Sequence, residues 1–174
     1  MNTQIINPLT NIKNIYFIGI GGIGMSALAR YFNTQGVQVS GYDKTPTLLT
    51  DDLVKEGIKI HFEDDLNQMD KAATVIVYTP AIPADHGELN YYRDNGYNVV
   101  KRSDVLQWVT ENAFTIGIAG THGKTTTTSM TAHILRHTEY GCNAFLGGIA
   151  SNYNTNFWSH EKNVVVVEAD EYDR

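Results

Sequence analysis

The chain has 174 residues, which at roughly 100–200 residues per domain holds one full domain and part of a second. Its composition, 42% hydrophobic, 10% aromatic and 18% charged, excludes the disordered and fibrous classes. The net charge of −6 is the opposite of the basic footprint that a nucleic-acid partner needs, and the single cysteine, Cys142, excludes an intrachain disulfide.

In chain order, Met1 to Ile12 show no basic-then-apolar leader, and no apolar run approaches the ~18 residues of a membrane span. The expectation is a cytoplasmic protein with neither membrane nor nucleic acid as partner. Ile15 to Ile18 reads as a strand ending in a glycine-rich turn, and Met25, Leu28, Ala29 and Phe32 then mark one helix face before Gly36. Val37 to Tyr42 is a second strand ending at Asp43, followed by a turn with Pro46, a short helix over about Leu48 to Glu56, and a third strand, Ile58 to Phe62. The β-branched stretch Thr74 to Tyr78 predicts an inner strand buried on both faces. Asp85 to Asn95 is helical in character, Tyr97 to Val100 a fifth strand, and Ser103 a cap for a helix through Val109 with Asp104 in its first turn. Thr110 to Ala113 reads as a linker.

The pattern then restarts: Phe114 to Ala119 as a strand, Gly120 to Gly123 as a tight turn, Lys124 to His137 as a helix, Asn143 to Ile149 as a further strand, and Val164 to Val167 as a valine run ending in Glu168. The alternation predicts an α/β chain: a Rossmann-like, mostly parallel sheet flanked by helices, over residues 1–112, then the start of a P-loop α/β domain over 113–174.

Gly19, Gly21 and Gly24 match G-x-G-x-x-G between a strand and a helix, with Asp43 ending the next strand. Glycines there let a pyrophosphate approach the free N–H groups of the helix start. The conventional ligand is NAD, with Asp43 on a ribose hydroxyl, yet any diphosphate satisfies the same donors. A Rossmann oxidoreductase or regulatory module and a UDP-sugar site are both compatible with this loop.

Gly120-Thr121-His122-Gly123-Lys124-Thr125-Thr126 is a second phosphate-type loop, shortened to G-x-x-G-K-[ST] because Ile118 stands where the usual form has glycine. Backbone N–H groups around Gly123 suit phosphates, Lys124 adds charge, and the Thr125 hydroxyl is a ligand for Mg²⁺. Glu168 emerges from the valine strand as the expected acidic metal partner, with Asp170 on the same side, while Glu171 and Asp173 read as solvated. His133 and His137 are four apart on the helix but lack the H-E-x-x-H glutamate, and read as surface residues rather than a zinc site. Thr79, Ala81 and Arg102 leave strands at the ligand-binding edge; His61 either borders that site or is a partly buried structural histidine.

Taken together, Gly-Ile-Gly-Gly-Ile-Gly-Met-Ser-Ala-Leu-Ala (19–29), Gly-Thr-His-Gly-Lys-Thr-Thr (120–126) and Glu-Ala-Asp-Glu-Tyr-Asp (168–173) resemble the Mur ligases over essentially the whole chain. The resemblance implies an ATP- and Mg²⁺-dependent ligase joining L-alanine to the carboxylate of UDP-N-acetylmuramate through an acyl phosphate. It places the UDP-sugar at Gly21, Gly22, Ile23, Gly24 and Asp43, with His61, Thr79, Ala81 and Arg102 as further contacts. ATP falls at Gly120 to Thr126 with Lys124 catalytic, and the metal at Thr125 and Glu168. The related ligase that recycles a murein tripeptide is the alternative; its first loop runs closer to Gly-Ile-Cys-Gly-Thr than to Gly19-Ile20-Gly21-Gly22-Ile23. The family's third domain and most of its central one have no counterpart in these 174 residues, so the resemblance implies binding without turnover.

Overall fold

The structure, a computed structural model, describes residues 12–169. Expectations drawn on residues 1–11 and on Asp170, Glu171 and Asp173 lie outside the described residues. The elements are β1 (Asn14–Ile18), α1 (Ile23–Thr34), β2 (Gln38–Tyr42), α2 (Leu48–Lys55), β3 (Lys59–His61), β4 (Val75–Tyr78) and α3 (Gly87–Asp94). They continue as β5 (Val99–Lys101), α4 (Arg102–Glu111), β6 (Phe114–Ile118), α5 (Lys124–His137), β7 (Asn143–Ala150), β8 (Thr155–Trp158) and β9 (Val164–Glu168).

The first five strands form one parallel sheet in the order β3-β2-β1-β4-β5. Alternation along each strand divides its side chains between two cores. Ile15, Phe17, Val39, Val75 and Val77 pack with α1, α2 and α4, whereas Tyr16, Ile18, Tyr42 and Ile76 pack with Leu89 and Tyr92 of α3. β4 is thus an inner strand buried on both faces, as its β-branched run predicts.

The remaining strands form a sheet in the order β6-β9-β7-β8, parallel except for β8, which runs antiparallel to β7. On one face Cys142, Ala144, Leu146, Val164 and Val166 meet Ala132 of α5. On the other, Phe145, Phe157, Val165 and Val167 join the core that holds Ile15, Leu28 and Phe32. Helix α1 is therefore clamped between two sheets. That is why Met25, Ser26, Ala27, Leu28, Ala29 and Arg30 are all buried, where the periodicity marks a single apolar face.

Two expectations are corrected, and one strand is added. Ser103 does not cap α4: the helix starts at Arg102 with Lys101 as N-cap, and the Asp104 carboxylate reaches back to accept the Lys101 N–H at 3.2 Å. The acid satisfies the N-cap residue's own N–H, a different donor from the one that a capping serine hydroxyl accepts. The linker is shorter than Thr110 to Ala113, because Thr110 and Glu111 still belong to α4. Strand β8 was not anticipated; Asn154, at φ 51° in the left-handed region that asparagine tolerates, turns the chain back onto β7.

Candidate functional site

The strand register aligns the C-terminal ends of the first sheet in one row, His61, Tyr42, Ile18, Tyr78 and Lys101 in sheet order. One residue further along β1, β2, β4 and β5 stand Gly19, Asp43, Thr79 and Arg102, so candidates far apart in the sequence share one edge. Open α/β sheets bind ligands at this edge where the strand order reverses, here between β1 and β4.

Backbone contacts shape the first loop. The N–H groups of Gly19 and Ile20 both donate to the Tyr42 carbonyl, at 2.8 and 3.0 Å, and Gly22 closes the turn onto Gly19 at 3.2 Å. Asp43 belongs to this scaffold: Oδ2 accepts the Gly21 N–H at 2.7 Å and Oδ1 the Thr45 N–H at 3.0 Å. Its carboxylate ties the loop to the end of β2 instead of standing clear for a ribose. Gly22 is the N-cap of α1 and supplies no side-chain acceptor, so the first N–H groups of that helix suit an anionic ligand. The Arg102 guanidinium lies against Gly24, where an added Cβ would meet Nη1 at 2.6 Å. The third glycine of the motif thus makes room for an arginine from α4. Thr79 borders Gly19, and Ala81 is exposed on the loop after β4.

His61 stands in the row, but its ring turns onto the α3 face. Nε2 lies 2.6 Å from the Tyr16 hydroxyl and Nδ1 2.9 Å from the Glu63 carbonyl oxygen. Burial holds its pKa below the ordinary histidine value. Of the two readings of this residue, the contacts are those of a structural histidine.

The second loop joins β6 to α5. Gly123, at φ 78°, is the N-cap, a left-handed conformation that favours glycine and lets the loop turn directly into the helix. Lys124 Nζ donates to the Gly120 carbonyl at 2.9 Å, which folds the ammonium back over the loop. Thr121, His122, Thr125 and Thr126 are exposed, whereas Thr128 is buried, its hydroxyl donating to the Lys124 carbonyl at 2.8 Å.

Glu168 ends β9 opposite Ile118, the last residue of β6, which sets its carboxylate at the start of the second loop. Oε1 accepts the Gly147 N–H at 2.9 Å, and a Cβ at Gly148 would touch the Thr125 methyl at 3.6 Å. Thr125 and Glu168 thus approach one pair of β7 glycines. A hydroxyl and a carboxylate are the hard oxygen donors Mg²⁺ takes, so the donor set fits in kind. Sequence reasoning passed over Gly147 and Gly148, although a glycine pair inside a strand is itself a sign of close approach.

Between the sheets lies a cavity of about 210 Å³ whose wall includes Gly24 and Arg102 from the first sheet's side and Gly147 and Glu168 from the second's. The first loop, through Gly24, and the carboxylate of Glu168 therefore border one space. Away from it, His133 and His137 converge on the Tyr153 hydroxyl at 2.6 and 3.1 Å, anchoring the β7–β8 turn to α5. Among the described residues no group of three or more His, Cys, Asp or Glu side chains is placed to hold a metal.

Residues 14–113 match the family described as "Mur ligase family, catalytic domain", and residues 118–170 match "Mur ligase middle domain". The chain is 57% identical over 169 residues to a UDP-N-acetylmuramate–L-alanine ligase of Porphyromonas gingivalis, covering 94% of this chain and 37% of that protein. With its counterpart in Flavobacterium johnsoniae the identity is 52%, covering 95% and 38%. The chain thus spans little more than a third of the length of these relatives. Among solved structures, a UDP-N-acetylmuramate-alanine ligase from Thermotoga maritima superposes with TM-score 0.80 at 33% identity, over 89% of this chain and 36% of that one. A UDP-N-acetylmuramate:L-alanyl-gamma-D-glutamyl-meso-diaminopimelate ligase from Neisseria meningitides gives TM-score 0.84 at 29% identity, over 93% and 54%.

Proposed function

This chain belongs to the Mur ligase family, and from that premise we propose that the full-length protein joins L-alanine to the carboxylate of UDP-N-acetylmuramate, with ATP converted to ADP and phosphate, in peptidoglycan precursor synthesis. The observation that carries the proposal is the pair of strand–loop–helix phosphate-type loops in one chain, with a cavity between their sheets walled by Gly24 and Arg102 on one side and by Gly147 and Glu168 on the other. We assign residues 1–112 to a UDP-sugar-binding domain and 113–174 to the opening of an ATP-binding domain. We place the reaction in the cytoplasm.

In this reading the backbone of Gly21, Gly22, Ile23 and Gly24, with Arg102, holds the UDP diphosphate. Asp43 keeps that loop in shape, Thr79 and Ala81 border it, and His61 supports the site from beneath. Gly120 to Thr126 cradle the ATP phosphates, with the Lys124 ammonium on the phosphoryl group in transfer. Thr125 and Glu168 would hold Mg²⁺, which when bound offsets phosphate charge. The muramate carboxylate attacks the γ-phosphorus and ADP leaves; the alanine amine then attacks the acyl carbon of the mixed anhydride, phosphate leaves and the amine loses a proton. This chain, at about a third of its relatives' length, is expected to bind the UDP-sugar without completing that sequence.

The murein tripeptide ligase reading is supported by the Neisseria superposition, and the alanine reading by the 57% identity to the Porphyromonas enzyme. ADP release by the full-length protein separates them. L-Alanine is expected to support release with UDP-N-acetylmuramate and Mg²⁺; release with tripeptide and none with alanine would overturn the assignment. Calorimetry with NADH against UDP-N-acetylmuramate tests the first loop, and binding of NADH alone would refute its reading.

A further inference from the structure

Beneath the first loop lies a buried triad that the proposed chemistry does not use. Tyr16 is 1% exposed and Glu88 0%. The Tyr16 hydroxyl lies 2.5 Å from Glu88 Oε2 and 2.6 Å from His61 Nε2. Glu88 Oε1 accepts the Asp65 N–H at 3.2 Å. His61 Nδ1 faces the Glu63 carbonyl oxygen at 2.9 Å; a carbonyl only accepts, so this nitrogen carries a hydrogen.

Counting hydrogens restricts the triad. The phenol has one proton and two short contacts. Both are satisfied if a protonated Glu88 donates to Tyr16 and Tyr16 donates to neutral His61. Both are also satisfied if an imidazolium at His61 donates to Tyr16 and Tyr16 donates to a Glu88 carboxylate. These arrangements hold the same number of protons and interconvert by a shift of two hydrogens along the row. With Glu88 ionised and His61 neutral there is one hydrogen too few, and one short contact sets lone pair against lone pair.

We propose that Glu88, Tyr16 and His61 retain one shared, titratable proton and that this proton holds the first glycine loop in its ligand-binding shape, making Glu88 a positioning residue. The route is short. The His61 carbonyl accepts the Asp43 N–H at 3.2 Å, and Asp43 accepts the Gly21 N–H at 2.7 Å. A cavity of about 420 Å³ lined by Tyr16, His61, Ser40, Lys59 and Asp70 gives the proton access to water.

Other groups face the triad from each neighbouring element: Tyr42 from β2, Lys59 from β3, Asp64, Asp65 and Asp70 from the segment after β3, and His86 and Tyr92 before and within α3. Burial, opposed by the hydrogen bonds of Tyr16 and the Asp65 N–H and reinforced by the charges of Asp64 and Asp65, pushes the Glu88 pKa up to about 7, while burial holds that of His61 down. Both favour the arrangement with the proton on Glu88. Since the proton is held below about pH 7 and lost above it, ligand affinity at the loop falls as pH rises.

The inference rests on the first loop being a UDP-sugar site, and its test has a ligand-free arm. Using the full-length protein, calorimetric affinity for UDP-N-acetylmuramate is followed from about pH 5.5 to 8.5, where linkage to one proton weakens binding by up to about tenfold per unit above the midpoint. Glu88→Gln carries a permanent donor toward Tyr16 and an acceptor for Asp65, so it is expected to bind with the acid-side affinity throughout; Tyr16→Phe should bind weakly and without pH dependence. An unchanged slope in Glu88→Gln, or none in the wild type, overturns the proposal. In the ligand-free arm, NMR of the His61 ring nitrogens and the Glu88 carboxyl carbon should give one common midpoint that Glu88→Gln abolishes. Independent titrations, with Glu88 ionised below about pH 5, would refute the triad even if no UDP-sugar binds, whereas shared titration without UDP-sugar binding would refute the loop assignment and, with it, the role of the proton there.

Discussion

Asn156 of β8 donates its side-chain amide to the carbonyl of Ile23 at 2.6 Å, across 133 residues of sequence. The same amide donates to the Ser26 hydroxyl at 2.8 Å, and its carbonyl accepts from Arg30, which is also paired with Glu56. Asn156 is 0% exposed, so this is a buried polar clamp between the second sheet and the first turn of α1. Asn156→Ala would strand the Arg30 donor and destabilise the chain by about 1–3 kcal/mol. Denaturant unfolding of the variant against the wild type measures this.

Gly24→Ala should act on binding more than on stability. The new methyl meets the end of the flexible Arg102 side chain rather than backbone, so the fold can yield by moving the guanidinium. Affinity for UDP-N-acetylmuramate is expected to fall about tenfold or more, the loss of one charge-assisted contact, with a melting temperature within a few degrees of wild type. Calorimetry paired with thermal melts distinguishes this from general unfolding.

Lys124→Ala is expected to remove nucleotide use while sparing the UDP-sugar, because its ammonium sits over the second loop on Gly120. Loss of UDP-sugar binding in this variant would show that the two sites are not separate. ATP binding and UDP-sugar binding are measured on the same preparation.

Glu168→Gln keeps an acceptor for the Gly147 N–H, so the loop geometry should survive. The charge for the metal is lost, and turnover of the full-length enzyme should drop by about 100-fold, with a higher Mg²⁺ requirement. A Mg²⁺ titration of ADP release checks both.

His86 caps α3: its Nδ1 accepts the Leu89 N–H at 3.3 Å, and the ring packs on Tyr42. Acceptance requires neutral imidazole, and burial holds the pKa below its ordinary value of 6.5, against the pull of Asp64. A depressed folded-state pKa means a contribution present above pH 6.5 and lost as pH falls below it toward the folded value. Glu88, whose pKa is raised, acts with the opposite sign, so the measurement is the difference between wild type and His86→Asn. That difference should be largest near pH 7 and shrink on acidification in chemical denaturation.

Much of this protein was determined by local sequence. Glycine spacing, an acid closing β2, β-branched runs and helix periodicity are short-range signals, and they located both loops, the α/β class and most elements, because each depends on a few neighbouring residues. Tertiary structure decided what depends on partners distant in the chain. It put Arg102 against Gly24, set Glu168 opposite Ile118, and assigned the Asp43 carboxylate to the loop backbone. It also turned the His61 ring toward Tyr16 and buried Ser26 and Arg30 on a face of α1 that periodicity leaves unmarked, since only the second sheet covers it. Asp43, His61, Ser26 and Arg30 share one cause: a buried or half-buried polar group takes whichever partner the packing brings within about 3 Å, and sequence separation does not limit that choice.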